Sequence, residues 1–281
     1  MLVTEKTIPA RDGFPLSATV LGDLDCAHRI AVVSSATAVP RRFYRHYAKA
    51  LFEAGYAVIT YDYRGIGDSK PESLSEFPAR MRDWALLDMN GVIDWITSKN
   101  SNAKLFLVGH SVGGQIAGLI EDSSSITAML SVSAQSGYWK LQGGAQKISV
   151  AFHVYVTFPL LAAMLGYMPW SWFGTAEDLP GGVALEWARW CRNADYLCGD
   201  SSLPLDRYSQ FTKPILAYSI ADDNWGTAAS VDALSAAYPT VERRHISPSD
   251  HGLSQLGHFG YFRKGSDSVW ADGINWLESC G

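Results

Sequence analysis

The residues Gly109-His110-Ser111-Val112-Gly113 set a serine between two glycines, directly after the apolar run Leu105-Phe106-Leu107-Val108. A serine hydroxyl is a weak nucleophile until it is lifted clear of the chain and given a base. This spacing supplies the lift: a strand, a strained turn carrying the serine, then a helix. Gly109 and Gly113 remove side chains where strand and helix pass close together. The Val112 N–H opens the helix and is free to bind developing negative charge. An acid and an imidazole are still needed. Asp222 and Asp223 follow the apolar run that ends at Ile220. The chain has seven histidines. His28 and His46 read as surface residues. His110 adjoins the nucleophile on the strand, cannot turn back onto it, and reads as packing. His153 lies in an aromatic stretch and could touch a ligand. His251 and His258 lie beyond both aspartates. Asp62, Asp68, Asp83 and Asp88 precede the serine and read as structural.

The elements that must hold these residues follow from periodicity. Residues 3–22 read as a β-hairpin turning at Arg11-Asp12-Gly13. Residues 29–35 form the first buried strand. A helix over 41–54 carries Phe43, Tyr44, Tyr47, Leu51 and Phe52 on one face and ends at Gly55, with Arg41, Arg42, Arg45 and Lys49 on a solvated face. Residues 56–63 form a strand running into the glycine-marked loop 62–69, and 77–99 reads as a long helix. The elbow strand (104–109), its helix (112–121) and a strand over 128–134 follow. The rhythm breaks after Ala134 and resumes with a strand at 214–220, a helix at 228–237, a strand at 241–246 and a last helix at 266–278. Strands alternating with helices at this spacing predict βαβ units and a parallel sheet. Residues 136–206 read as a helical, aromatic-rich cap inserted between two sheet strands, with 1–135 and 207–281 forming the core.

Composition narrows the classes. Among 281 residues, 47% are hydrophobic and 18% charged, which favours a large packed core over disorder. A net charge of −5 gives no reason to expect nucleic acid or an acidic membrane surface. Ile148 to Ala176 holds no charged residue, long enough to cross a bilayer, but a span there would put Ser111 and the later strands on opposite sides. No membrane span is therefore expected. The N-terminal residues show neither a basic nor an apolar leader region. Cys26, Cys191, Cys198 and Cys280 lack a C-x-x-C spacing and read as free thiols in a reducing cytosol, with a Cys191–Cys198 bridge as the alternative. A second copy of the chain is a compatible partner, and no metal or organic cofactor is required.

With the elbow in the first half and this strand order, the chain resembles the α/β-hydrolase superfamily. Arg42-Phe43-Tyr44, Tyr61 through Gly67, Ala184 through Cys191 and Gly257 through Arg263 look like a group of uncharacterised bacterial α/β-hydrolases. The resemblance implies the order serine, acid, histidine. It places the acid a few residues past its strand, the offset of Asp223, leaving Asp222 as a capping or solvated carboxylate. It matches His258, ahead of the last helix, to the base, with His251 as the alternative. Its second oxyanion donor comes from the loop after the first buried strand. There Ser35-Ala36 replace the commoner His-Gly, Thr37 takes the donor position beside Val112, and Ala36 is the fallback. The aromatic segment implies an apolar pocket, with Tyr138, Trp139 and Trp225 as lining. The reading is a cytoplasmic serine hydrolase that cleaves a small carboxylic ester with an apolar acyl or alcohol group. An acyltransferase or lyase built on the same residues, and a ligand-binding protein that has lost turnover, are the alternatives.

Overall fold

The computed structural model describes residues 2–174 and 176–281. Its strands are β1 (Val3–Pro9), β2 (Pro15–Leu21), β3 (Arg29–Ser34), β4 (Ala57–Tyr61), β5 (Lys104–His110), β6 (Ile126–Val132), β7 (Tyr167–Met168), β8 (Leu179–Pro180), β9 (Ile215–Ile220) and β10 (Glu242–Ile246). Eight of them form one sheet in the order β1-β2-β4-β3-β5-β6-β9-β10. The pairs β1–β2 and β2–β4 are antiparallel, and all others are parallel.

Every residue of β4 and β9 is buried, as is all of β3 after Arg29, which explains their unbroken apolar runs. Side chains still alternate between two cores. Ile30 and Val32 of β3 face one; Ala31 and Val33 face the other. The second core is closed by helix Arg45–Glu53, through Tyr47 and Leu51, and by helix Asp267–Cys280, through Trp270 and Leu277. The first is closed by the helical residues 81–99 and by the segment between β6 and β9. The chain leaves β3 toward β4 on one side, and the next strand, β5, lies on the other. Their carboxyl ends open at this reversal of strand order, where α/β sheets bind ligands.

Two local expectations are corrected. The helix expected from Phe77 begins at Met81, because Pro78 forces the residue before it out of the helical region. It passes through a π-helical stretch, Trp84–Met89, before continuing as Asn90–Lys99. The elbow helix is α-helical only over Val112–Gln115 and tightens to a 3-10 helix over Ile116–Leu119, since Gly113, Gly114 and Gly118 weaken it. The four cysteines are free thiols, and Cys191 is buried.

Between β6 and β9, Gln146–Leu165 forms a 20-residue helix whose length and mean hydropathy of 1.9 would suffice to cross a membrane. Val150, Val154 and Phe158 bury one face in the first core, beside Val183, Ala184 and Trp187 of helix Gly181–Arg192. The opposite face exposes Ile148, Phe152, Tyr155, Val156, Leu160 and Met164. Glu177 ties this segment to the sheet. Its N–H donates to Ala38 O at 3.0 Å, and its carboxylate accepts from Gly67 N at 2.8 Å and Arg42 at 3.0 Å.

Asp62, at the end of β4, fixes the loop that follows. Its fully buried carboxylate accepts the Arg41 N–H at 2.6 Å and the Asp68 N–H at 3.1 Å and pairs with the Arg41 guanidinium. Breaking a buried pair by removing one partner typically costs about 3–5 kcal/mol. Asp62→Ala should therefore lower Tm by roughly 10 °C in thermal unfolding. A change within 2 °C would show that these contacts do not hold the loop.

Candidate active site

Ser111 sits at φ 51° and ψ −119°, a conformation that costs about 1–3 kcal/mol and persists only where its surroundings enforce it. Here its N–H donates to Val132 O at 3.0 Å, and its carbonyl accepts from Gly114 N and Gln115 N at 3.0 and 2.9 Å. The flanking glycines are steric requirements. A Cβ on Gly109 would lie 2.5 Å from the Gly114 backbone, and one on Gly113 would lie 2.3 Å from Ser34 O.

Asp223 and His258 are brought together, with Nδ1–H of the imidazole donating to Asp223 Oδ2 at 2.8 Å. The other carboxylate oxygen accepts from Trp225 N and Gly226 N, both at 2.8 Å. Burial works to raise the Asp223 pKa, but the adjacent His258 and the Gly226 N–H outweigh it and hold the group down to about 2. Asp222 is solvent-exposed, and its carboxylate also accepts Leu256 N and Gly257 N, each at 2.9 Å, clamping the backbone that leads into His258. His251 is remote, on an outer turn near Ser268 O at 3.2 Å. Ser111 and His258 line one cavity without a hydrogen bond between their side chains. Such bonds commonly tighten only when substrate is bound.

His110 does more than pack. Its Nδ1 faces the Tyr44 hydroxyl at 2.8 Å and its Nε2 faces the His258 carbonyl at 2.9 Å. The Tyr44 oxygen also accepts the Ala36 N–H at 2.8 Å. The consistent assignment runs in one direction: Ala36 N–H to Tyr44, Tyr44 O–H to His110 Nδ1, and His110 Nε2–H to His258 O. Burial, reinforced by the nearby His258, pushes His110 down to about 3, which keeps it neutral as this arrangement requires. One chain of hydrogen bonds thus joins the loop after β3, the elbow strand and the loop carrying His258. Tyr44 and this bridging role were invisible in the sequence, because their partners are distant along the chain.

The same chain bears on the loop after β3. The Ala36 N–H is already engaged, so the fallback donor is removed, and Thr37 lines the cavity beside Ser111. The cavity holds about 490 Å³. Trp170, Trp187 and Trp225 line it as a stack, with centroids 5.4 and 6.5 Å apart, and Trp225 lies 6.2 Å from the His258 ring. Of the expected aromatic lining, Trp225 is present, but Tyr138 and Trp139 are outside the cavity. The chain turns away after β6, where Gly137 packs against Tyr196, and Trp139 sits against Tyr155 with Lys140 over its ring. Gln135 takes a place in the lining instead. Its Oε1 accepts from Gln115 at 3.1 Å, which leaves its NH2 group for a ligand. Arg42 and Arg45 are exposed, as expected of a solvated face, and together with the exposed Arg263 they also edge this cavity.

Residues 31–160 match the family described as serine aminopeptidase, S33. Two proteins of the traX-finO intergenic region of Escherichia coli, described as uncharacterized 31.7 kDa proteins, are each 39% identical over 70 residues; the match spans 24% of this chain and 23% of theirs. An esterase from Pyrococcus furiosus superposes with a TM-score of 0.63 at 14% identity, covering 100% of this chain and 93% of that one. An esterase from Exiguobacterium antarcticum gives 0.65 at 16% identity, covering 98% and 100%. The protein has the α/β-hydrolase fold: an eight-stranded, mostly parallel sheet flanked by helices.

Because the folded pKa of His110 is depressed, its stabilising contribution is complete above about pH 6.5, the usual histidine value, and is lost as pH falls toward about 3. His110→Gln should lower Tm at pH 7.5, and the gap to wild type should narrow steadily toward pH 4. A gap independent of pH would contradict a neutral buried His110.

Proposed function

We propose that this protein is a serine hydrolase that cleaves a carboxylic ester through an acyl-enzyme. The observation that carries the reading is a single cavity containing Ser111, on its strained turn, and His258, whose Nδ1–H is held by Asp223 at 2.8 Å. That hydrogen bond leaves His258 Nε2 as the unprotonated nitrogen, available to take the Ser111 proton. Ser111 Oγ then attacks the ester carbonyl. The oxyanion that forms is received by the Thr37 and Val112 N–H groups, in a site whose donors are fixed before reaction. His258 returns the proton to the leaving alcohol, and water repeats the sequence on the acyl group. Asp223 remains ionised and orients the imidazole throughout.

The stacked tryptophans favour a flat or extended apolar group on one side of the ester. The esterases of the same fold agree with ester cleavage. An aminopeptidase must recognise a protonated α-amine, which calls for carboxylates. Among the described residues lining the cavity there are none, and three are arginines, so ester substrates are favoured over peptides. The segment between β6 and β9 serves as the cap, and the free cysteines suit a reducing, cytoplasmic setting.

A fluorophosphonate probe should label the wild-type protein and not Ser111→Ala. On p-nitrophenyl esters, His258→Ala should lower kcat by about 10³-fold or more and Asp223→Asn by about 10⁴-fold, with His251→Ala near wild type. Equal loss in His251→Ala and His258→Ala would remove His258 as the base.

Neither Asp223, held near 2, nor His110, near 3, changes charge between pH 4.5 and 8. The acid limb of kcat/KM should therefore fall with unit slope, reporting one ionisation. A slope of two would place a second titrating group in the site.

A further inference from the structure

The feature of this cavity that ester cleavage does not use is its arginines. In a chain with a net charge of −5, Arg42, Arg45 and Arg263 line one cavity that no aspartate or glutamate lines among the described residues. They come from two distant parts of the sequence. Arg42 and Arg45 lie at the start of the helical region after β3, and Arg263 lies at the end of the short helical turn Gly260–Phe262 that follows His258. Phe43 and Phe259, both in the lining, meet edge to face at 6.3 Å and join these two sides.

The arginines are not equivalent. Arg42 is occupied by Glu177 at 3.0 Å, whose carboxylate also receives Lys70 at 2.9 Å and Gly67 N at 2.8 Å. Its charge is spent holding the cap segment. Among the described residues no carboxylate pairs with Arg45 or Arg263, and the one hydrogen bond of the Arg45 guanidinium goes to Arg42 O at 3.2 Å. Both residues are solvent-exposed, so two arginines edge the cavity with no paired carboxylate among the described residues. A guanidinium presents a planar fork of N–H donors that matches a carboxylate or a phosphate.

We propose that Arg45 and Arg263 form an anion subsite, and that the natural substrate is an ester bearing an anionic group in addition to its apolar part. The apolar part rests against Trp170, Trp187 and Trp225, the scissile carbonyl lies at Ser111, and the anion reaches the arginine edge. This rests on the ester-hydrolase reading for its reaction, while the subsite itself is a binding property that is measured without turnover.

Phenyl hydrogen adipate carries the anion on the acyl side, and 4-(hexanoyloxy)benzoate carries it on the alcohol side. Their neutral counterparts are phenyl hexanoate and the methyl ester of the second compound at its benzoate. In 20 mM salt, one of the two anionic esters should exceed its neutral counterpart in kcat/KM by about 10-fold or more, the discrimination expected of a charge-assisted contact. The ratio should shrink at 0.5 M salt. It should approach one in the double variant Arg45→Gln, Arg263→Gln; taking a ratio cancels any general loss of activity. The side that shows the preference identifies where the anion sits.

Binding is read separately in the Ser111→Ala protein, by titrating the fluorescence of the cavity tryptophans with the same four compounds. Tighter binding of an anionic ester that the double arginine variant abolishes supports the subsite even if no ester is turned over. That combination would overturn the hydrolase reading alone. Equal affinity and equal kcat/KM for charged and neutral esters, unchanged by the arginine substitutions, would overturn the subsite while leaving the hydrolase reading intact.

Discussion

The arrangement depends on the hydrogen bond from His258 Nδ1 to Asp223 Oδ2 at 2.8 Å, and on the devices that make this geometry unavoidable. A carboxylate this deeply buried is stable as an anion only if its lone pairs are filled. The Trp225 and Gly226 N–H groups and the imidazole fill them. The imidazole in turn sits on a loop with little regular structure. That loop is held from both sides, by Asp222 on the amides of Leu256 and Gly257 and by His110 on the carbonyl of His258 itself. Preorganisation here means that orientation is set before any substrate enters.

The sheet explains why these devices meet. Ser111 directly follows β5, the loop bearing Thr37 leaves the adjacent β3, and Asp222 and Asp223 follow β9. Parallel strands deliver all of these to one edge of the sheet, so residues far apart in sequence become neighbours without special folding of the loops. The hydrogen-bonded chain from Ala36 through Tyr44 and His110 to His258 runs along that edge and couples the loop bearing Thr37 to the loop bearing His258. Because each member has a defined donor and acceptor role, loss of one leaves the next with an unmet buried partner.

The elbow was legible because its signal is local: two glycines flanking a serine, with a strand before and a helix after. Asp223 and His258 were reachable only through chain order and resemblance, since nothing local separates Asp223 from Asp222. The structure separates them by direction, one toward the imidazole and the other toward the loop amides. Periodicity assigned Arg42 and Arg45 to a solvated helix face. They are exposed, but periodicity cannot register that Glu177, from the segment between β6 and β9, pairs with Arg42 and that both arginines edge a cavity. Tyr138 and Trp139 were placed by proximity to the end of β6, but neither is among the residues that line the cavity. Pro78 set the true start of the 81–99 helix and was readable, while the π-helical stretch inside it depends on tertiary packing.

The central claim is that the Ser111 hydroxyl becomes covalently bonded to the acyl group of an ester. Rapid acid quench during turnover of a p-nitrophenyl ester, followed by intact-protein and peptide mass spectrometry, tests it directly. The account predicts a mass gain equal to the acyl group, confined to the peptide containing Ser111 and accumulating when deacylation is slowed. Steady ester cleavage with no adduct, or with the acyl group on another residue, would contradict it.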